Sequence, residues 1–222
     1  MFFQKKLDRS ADICFVNVDY KHISRRYLMA HIFLSQLKTV LNNCIDELEQ
    51  IHFLFSRNPE TDFTRKRKLT FKEYIQFMLL MQGKTVSNEI LDFFSHFLSA
   101  PSKSAFTQQR YKLLPEGWDF LFHSFVTQCR SLSDDLYCGY RLLACDGSDV
   151  NIARNPSDER TFIHEGEKGY NAVHINALYD IMNKTYCDFH VQGKKKLHER
   201  AALNLMVDRY SDPAPSILMA DC

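Results

Sequence analysis

The sequence predicts an α+β protein: a helical first part, then a second part built in the order strand, strand, strand, helix, strand. Three observations carry this. Leu34, Leu37, Val40, Leu41, Ile45, Leu48, Ile51 and Phe55 recur at steps of three and four, the period of an amphipathic helix. Two short apolar runs, Arg141–Cys145 (RLLAC) and Ser216–Ala220 (SILMA), are too short for helices and each runs into a carboxylate, Asp146 and Asp221. With only 7 Gly and 6 Pro in 222 residues, a turn-dense all-β chain is excluded.

Each element has a local reason. Residues 1–23 are weakly patterned, and the first helix spans Ser24 to about Phe55. Ser56–Lys68 (SRNPETDFTRKRK) breaks the period with Asn58-Pro59 and a basic run, and is expected to be a linker. Thr70 and Glu73 have the spacing of a capping box, with Leu69 and Tyr74 as the staple, so a second helix runs to about Met81 and stops at Gly83. Ser87 caps a third helix, Asn88–Leu98, and Pro101 separates it from a fourth, about Lys103–Leu113. Pro115 opens a fifth, with Trp118, Leu121, Phe122, Phe125 and Val126 on one core-facing side.

From Tyr140 the period changes. RLLAC, Asn171–Tyr179 (NAVHINALY) and Thr185–Val191 (TYCDFHV) read as strands, the last two joined by a hairpin turn at Asn183-Lys184. His198–Tyr210 reads as a helix with Ala201, Ala202, Leu205 and Met206 on one side, and SILMA as the closing strand. The chain divides into a helical segment 1–57, a helical region 58–130 and a strand-bearing region 140–222.

Composition narrows the function classes. The net charge is only +1, but residues 1–130 hold 18 Lys+Arg against 13 Asp+Glu, and residues 131–222 hold 10 against 14. A basic part followed by an acidic part fits a nucleic-acid contact region joined to a metal-binding region; ordinary scatter of surface charge accounts for it equally well. The seven Cys include no CxxC pair, which argues against a zinc ribbon or disulfide framework and for reduced thiols in the cytoplasm. MFFQKKLDRS lacks the apolar core of a signal peptide, and no stretch is long and apolar enough to span a bilayer. No Gly-rich phosphate loop and no G-x-S-x-G motif occurs, so neither a nucleotide cofactor nor a serine nucleophile is expected.

Two Asp side chains at the carboxyl ends of adjacent parallel strands would converge on one site, and paired carboxylates are what a divalent metal ion requires. Asp-Gly at Asp146-Gly147 is otherwise a turn signal. Asp149, Asp180 and Asp188 are expected to be surface or turn carboxylates; His174, His190 and His198 fall near the strands and could line the site, a structural role being the first expectation for each. The run Arg65-Lys66-Arg67-Lys68 precedes a helix N-terminus, where the dipole favours anions; nearby phosphates would relieve that mismatch, and a solvated linker would also carry such a run. Lys194-Lys195-Lys196 allows the same two readings. The third and fourth helices have the lengths and short break of a helix-turn-helix, or of a plain helical hairpin. The fourth offers Lys103, Ser104, Thr107, Gln108, Arg110 and Tyr111, types that touch phosphates and base edges.

The blocks NPETDFTRKRKLTFKEYIQFML, EILDFF, PSKSAFTQQRYKL, YRLLACDGSDVNI, NALYDIMNKTY, HERAALNLMVDRY and SILMAD, over residues 58–221, resemble the DDE-class insertion-sequence transposases of the insertion-sequence-four family. The resemblance implies a helical DNA-binding region followed by a ribonuclease H-like catalytic domain. It implies that Asp146, in the DG[ST] block, and Asp221, ending the ILxAD block, are catalytic and hold two Mg2+ (or Mn2+) ions for DNA cleavage and strand transfer. It also implies a bacterial, nucleoid-associated protein with double-stranded terminal repeats as partner, homodimerisation being open and no membrane involved. Family members continue past the second Asp with Arg-Gly-Tyr and a later helix bearing the catalytic Glu. Cys222 stands where that Arg is expected, so the chain is expected to be truncated and catalytically incomplete. The alternative is a non-enzymatic DNA-binding remnant that competes with intact transposase.

Overall fold

Apolar spacing of three and four becomes helix in the described residues up to Cys129. The structure is a computed structural model that describes residues 20–65, 68–95 and 100–220. Helix α1 is Tyr20–Gln50, followed by a 3-10 turn at His52–Phe55. Its buried stripe begins late: Cys44, Ile45 and Leu48 are in the core, whereas Leu34 is 56% exposed. The expected stripe is therefore apolar at its start without being covered there.

The supposed linker after α1 is a tied segment. Arg57 N–H donates to Lys112 O at 2.9 Å, Leu114 N–H donates to Phe55 O at 2.8 Å, and Ser56 bridges Leu113. Asp62, buried, accepts from Asn58 N–H at 3.0 Å and faces Lys112 Nζ at 3.6 Å. The polar composition that suggested a loose connection is used in hydrogen bonding to the chain before Pro115.

Helix α2 (Phe71–Leu80) starts as expected: Glu73 N–H donates to Thr70 Oγ1 at 3.2 Å, and Thr70 N–H donates to Glu73 Oε2 at 2.9 Å. Gly83 follows at φ +82°, a conformation glycine adopts without strain. Helix α3 (Val86–Phe93) begins two residues earlier and ends sooner than expected, and α4 (Lys103–Arg110) is shorter at its end. Helix α5 (Pro115–Cys129) has Pro115 in its first turn. Ile45, Leu48, Phe71, Tyr74, Ile75, Phe77, Phe106 and Leu121 join one core among these helices, each such burial worth about 1.5–3 kcal/mol.

Among the described residues the strands form a mixed five-stranded sheet. Strand β1 (Arg141–Ile152) pairs antiparallel with β3 (Tyr170–Asp180), and β3 pairs antiparallel with β4 (Thr185–Gly193). The two-residue β2 (Phe162–Ile163), unforeseen in the sequence, extends the edge of β3 that β4 also uses. Strand β5 (Ser216–Ala220) lies parallel to β1 on its other side. Helix α6 (Glu199–Arg209) connects β4 to β5 and buries Ala202 and Met206 against Leu143, Leu178 and Cys187; Leu205, expected on that side, is exposed. Helix α5 reaches the sheet from the helical part through Phe122, whose ring is 4.9 Å from that of Phe189.

Two corrections concern β1. Asp146 does not end the strand, because β3 supplies partners for every residue from Leu143 to Ile152. The last described pair between β1 and β5 is Cys145 with Ala220. Nor is Asp146-Gly147 a turn: both residues lie in extended, paired backbone.

Among the described residues no disulfide forms and no helix is long and apolar enough to cross a membrane.

Candidate functional site

The site is built on the register of β1, and a buried ion cluster holds that register. Arg141, the first residue of β1, is 2% exposed. It donates to Asp180 Oδ2 at the end of β3 (2.9 Å), to Asp212 Oδ2 in the turn before β5 (3.1 Å), and to Asp134. Tyr210 Oη also donates to Asp212 Oδ2 at 3.1 Å, and Arg130 Nη1 lies 3.5 Å from it. Burial pushes the Asp212 carboxyl up, but the Ala214 N–H, Arg141, Tyr210 and Arg130 outweigh it and hold it below the ordinary value. One guanidinium thus ties β1, β3 and the approach to β5 together, and a one-residue slip of any strand would leave buried charge unpaired.

Five residues along β1 from this anchor is Asp146. Its carboxylate is exposed, and its Oδ1 accepts from Gly147 N–H at 2.8 Å. Asp146 borders clefts on both faces of the sheet. On one face a cleft of about 760 Å3 has Cys145, Gly147, Asn176 and Ala220 as its floor and the start of α6, including His198, Glu199 and Arg200, as its wall. On the other a cleft of about 670 Å3 is lined by Ser148, Ile175, Ala177 and Tyr179, with Phe122 and Phe189 nearby.

The polar residues of β3 point to the first of these clefts' face. Ala172, His174, Asn176, Leu178 and Asp180 alternate on the buried side of β3, while Val173, Ile175, Ala177 and Tyr179 take the half-buried side. This inverts the usual apolar-in arrangement. His174, 5% exposed, has Nδ1 2.7 Å from Asp149 Oδ1, its neighbour across the ladder. Asp149 also pairs with Lys194. The hydrogen bond from Lys194 first, and His174 second, lower the Asp149 carboxyl below the ordinary range. The His174 ring lies over Gly147, where an added Cβ would stand 2.2 Å from Nε2. His198 caps α6, its Nδ1 accepting from Ala201 N–H at 3.2 Å.

The expected site residues fall out as follows. Asp146 lies at the border of both clefts. Asp221 lies outside the described residues, as do Lys66 and Arg67 of the basic run. Arg65 and Lys68 are exposed, and Arg65 shares a small cleft of about 190 Å3 with Gln109 of α4. Lys103, Ser104, Gln108 and Arg110 are exposed along α4; Thr107 is half-buried, its hydroxyl donating to Lys103 O at 2.9 Å. Asp180 and Asp188 are not surface carboxylates. Both are 3% exposed, Asp180 on Arg141 and Asp188 on Arg209 (2.9 Å) with His123 Nε2 at 3.6 Å. They escaped notice because their cationic partners lie 39 and 21 residues away in sequence. Asn176, Glu199 and Gly147 were also missed. The available signal was HIN, polar residues at alternate positions of a strand whose intervening positions are apolar.

Among the described residues, no group of three or more His, Cys, Asp or Glu gathers to hold a metal ion. The chain matches no protein-family model, no curated protein and no solved structure.

Proposed function

We propose that this chain is a DDE-class transposase of an insertion sequence, with its helices contacting the element's double-stranded DNA ends and its sheet carrying the metal-dependent chemistry of cleavage and strand transfer. One observation carries the reading: β1 and β5 run parallel and side by side, and each residue of their last described pair, Cys145 with Ala220, is followed in sequence by an aspartate, Asp146 and Asp221. Antiparallel β1, β3 and β4, then a helix, then β5 parallel to β1, is also the order of a ribonuclease H-like domain.

Asp146 fits a hard divalent cation: it is an exposed carboxylate beside a wide cleft, with room for water in the remaining coordination positions. Mg2+ held by Asp146 and Asp221 would supply Lewis-acid activation of a phosphodiester. The chain's own part is positional. The Arg141 cluster sets the register of Asp146, and α4 with Arg65 offers cations to the DNA backbone.

A second reading, a non-enzymatic DNA-binding protein, is favoured by the separate cores of the two parts. The helical core is complete without the sheet, so α4 can be displayed whatever the sheet does.

The test uses the purified chain and a labelled duplex carrying the repeats that bracket its own gene. Binding should weaken steeply with salt, and Lys103→Ala or Arg110→Ala should each reduce the salt slope by about one. Mg2+-dependent nicking that disappears in Asp146→Asn supports the transposase. Salt-steep binding without nicking supports the second reading. Weak, salt-independent binding sinks both.

A further inference from the structure

The floor of the larger cleft contains an amide with nothing to bond. Asn176 is 2% exposed, and its Nδ2 has no hydrogen-bond partner; His174 Nε2, two residues away on the same face, has none either. Directly across the ladder from Asn176 is Gly147, which has no side chain to answer it. The nearest carboxylate to His174 Nε2, Glu199 Oε1, is 3.4 Å away without forming a hydrogen bond. Buried amide N–H groups are nearly always satisfied, so one left without a partner in the wall of a cleft calls for a functional explanation.

The chemistry of that ligand follows from the walls. An N–H donor needs an acceptor, which a bare cation does not bring. Arg200 and the leading turn of α6 line the same cleft and add positive character, as oxyanions require. Glu199 at its border would repel a small free anion. The acceptor is therefore an oxyanion carried on a larger molecule that other contacts hold in place.

We propose that Asn176 is a phosphate-binding residue, its side-chain amide donating to a non-bridging oxygen of a DNA backbone phosphate received in this cleft between β3 and the start of α6. His174 is the positioning residue next to it, clamped by Asp149 and seated on Gly147. This rests on the DNA-processing reading above.

The test is made on the full chain with a mixed-sequence DNA duplex in the presence of Mg2+. Asn176→Ala should weaken duplex binding about tenfold, since the lost bond is to a charged acceptor. The melting temperature of the free protein should be unchanged or higher, because the amide satisfies nothing in the fold. The side-chain amide resonances of Asn176, identified by their absence in the variant, should move on adding duplex and stay still on adding inorganic phosphate. Wild-type binding with an equally tight Asn176→Ala variant overturns this inference and leaves the DNA reading standing. A lower melting temperature in the variant assigns the amide to the fold and also overturns it. Resonances that respond to inorganic phosphate alone overturn the backbone assignment. No duplex binding by the wild-type chain removes both readings together.

Discussion

The helical part and the sheet are stabilised in opposite ways. Among the helices the core is aromatic and aliphatic, with Phe63 packed edge-on to Phe71 at 4.9 Å and Phe77 edge-on to Phe106 at 4.8 Å. In the sheet the apolar cluster is small, Leu143, Leu178, Cys187 and Met206, and beside it lie buried ionic or polar residues: Arg141, His174, Asn176, Asp180 and Asp188. Apolar burial is non-directional and tolerates small shifts. Charge pairs and hydrogen bonds are directional, so they specify which residue faces which. A ligand site needs polar groups at set positions, and the sheet is where this chain places them.

Four substitutions or conditions would break or sharpen that contrast. The largest effect is expected from Arg141→Met, which strands Asp180 without its cation, leaves Asp212 only Arg130, and should cost about 3–5 kcal/mol in urea unfolding. A loss below about 1 kcal/mol would mean that the cluster does not hold the sheet. In the helical part, Ile75→Ala should cost about 2–5 kcal/mol by leaving a cavity. Hydrogen exchange should then report faster opening of α2 than of β3; equal acceleration of both would show that the two cores unfold as one.

Gly147→Ala is the next test. The new Cβ would stand 2.2 Å from His174 Nε2, so the ring must leave Asp149, at a cost of about 1–3 kcal/mol. The same change made in His174→Ala should be close to neutral. If Gly147→Ala is equally harmful in both backgrounds, the clash is with something other than the ring.

The smallest effect is in the acid limb. The Asp212 carboxyl is held below its ordinary value in the folded protein, so its stabilisation is complete above the unfolded-state pKa of about 3.9 and is lost as pH falls through the lower folded value. Asp212→Asn should flatten the fall in Tm below about pH 4 relative to wild type. An unchanged acid limb would show that other carboxylates govern it.

What could be read from residues follows the same division. The α2 start was legible because Thr70, Glu73, Leu69 and Tyr74 lie within six positions and need no distant partner. The strand order and the hairpin at Asn183-Lys184 were legible for the same reason, Lys184 taking the left-handed φ of 55° that the turn demands. The length of β1 was not, since residues 146–152 are polar and become strand only because β3 lies alongside. Leu205 and Leu34 satisfy the helical period yet stay exposed, because period marks a face and only packing covers it.

By itself, then, the sequence determined the local elements, their order and the prominence of Asp146, all of which depend on spacings within a turn or a strand. The tertiary structure decided which carboxylates are buried, why Gly147 lies opposite Asn176, and that β5 runs beside β1. Those outcomes depend on the register between segments tens of residues apart, and charges buried in pairs set that register at long range.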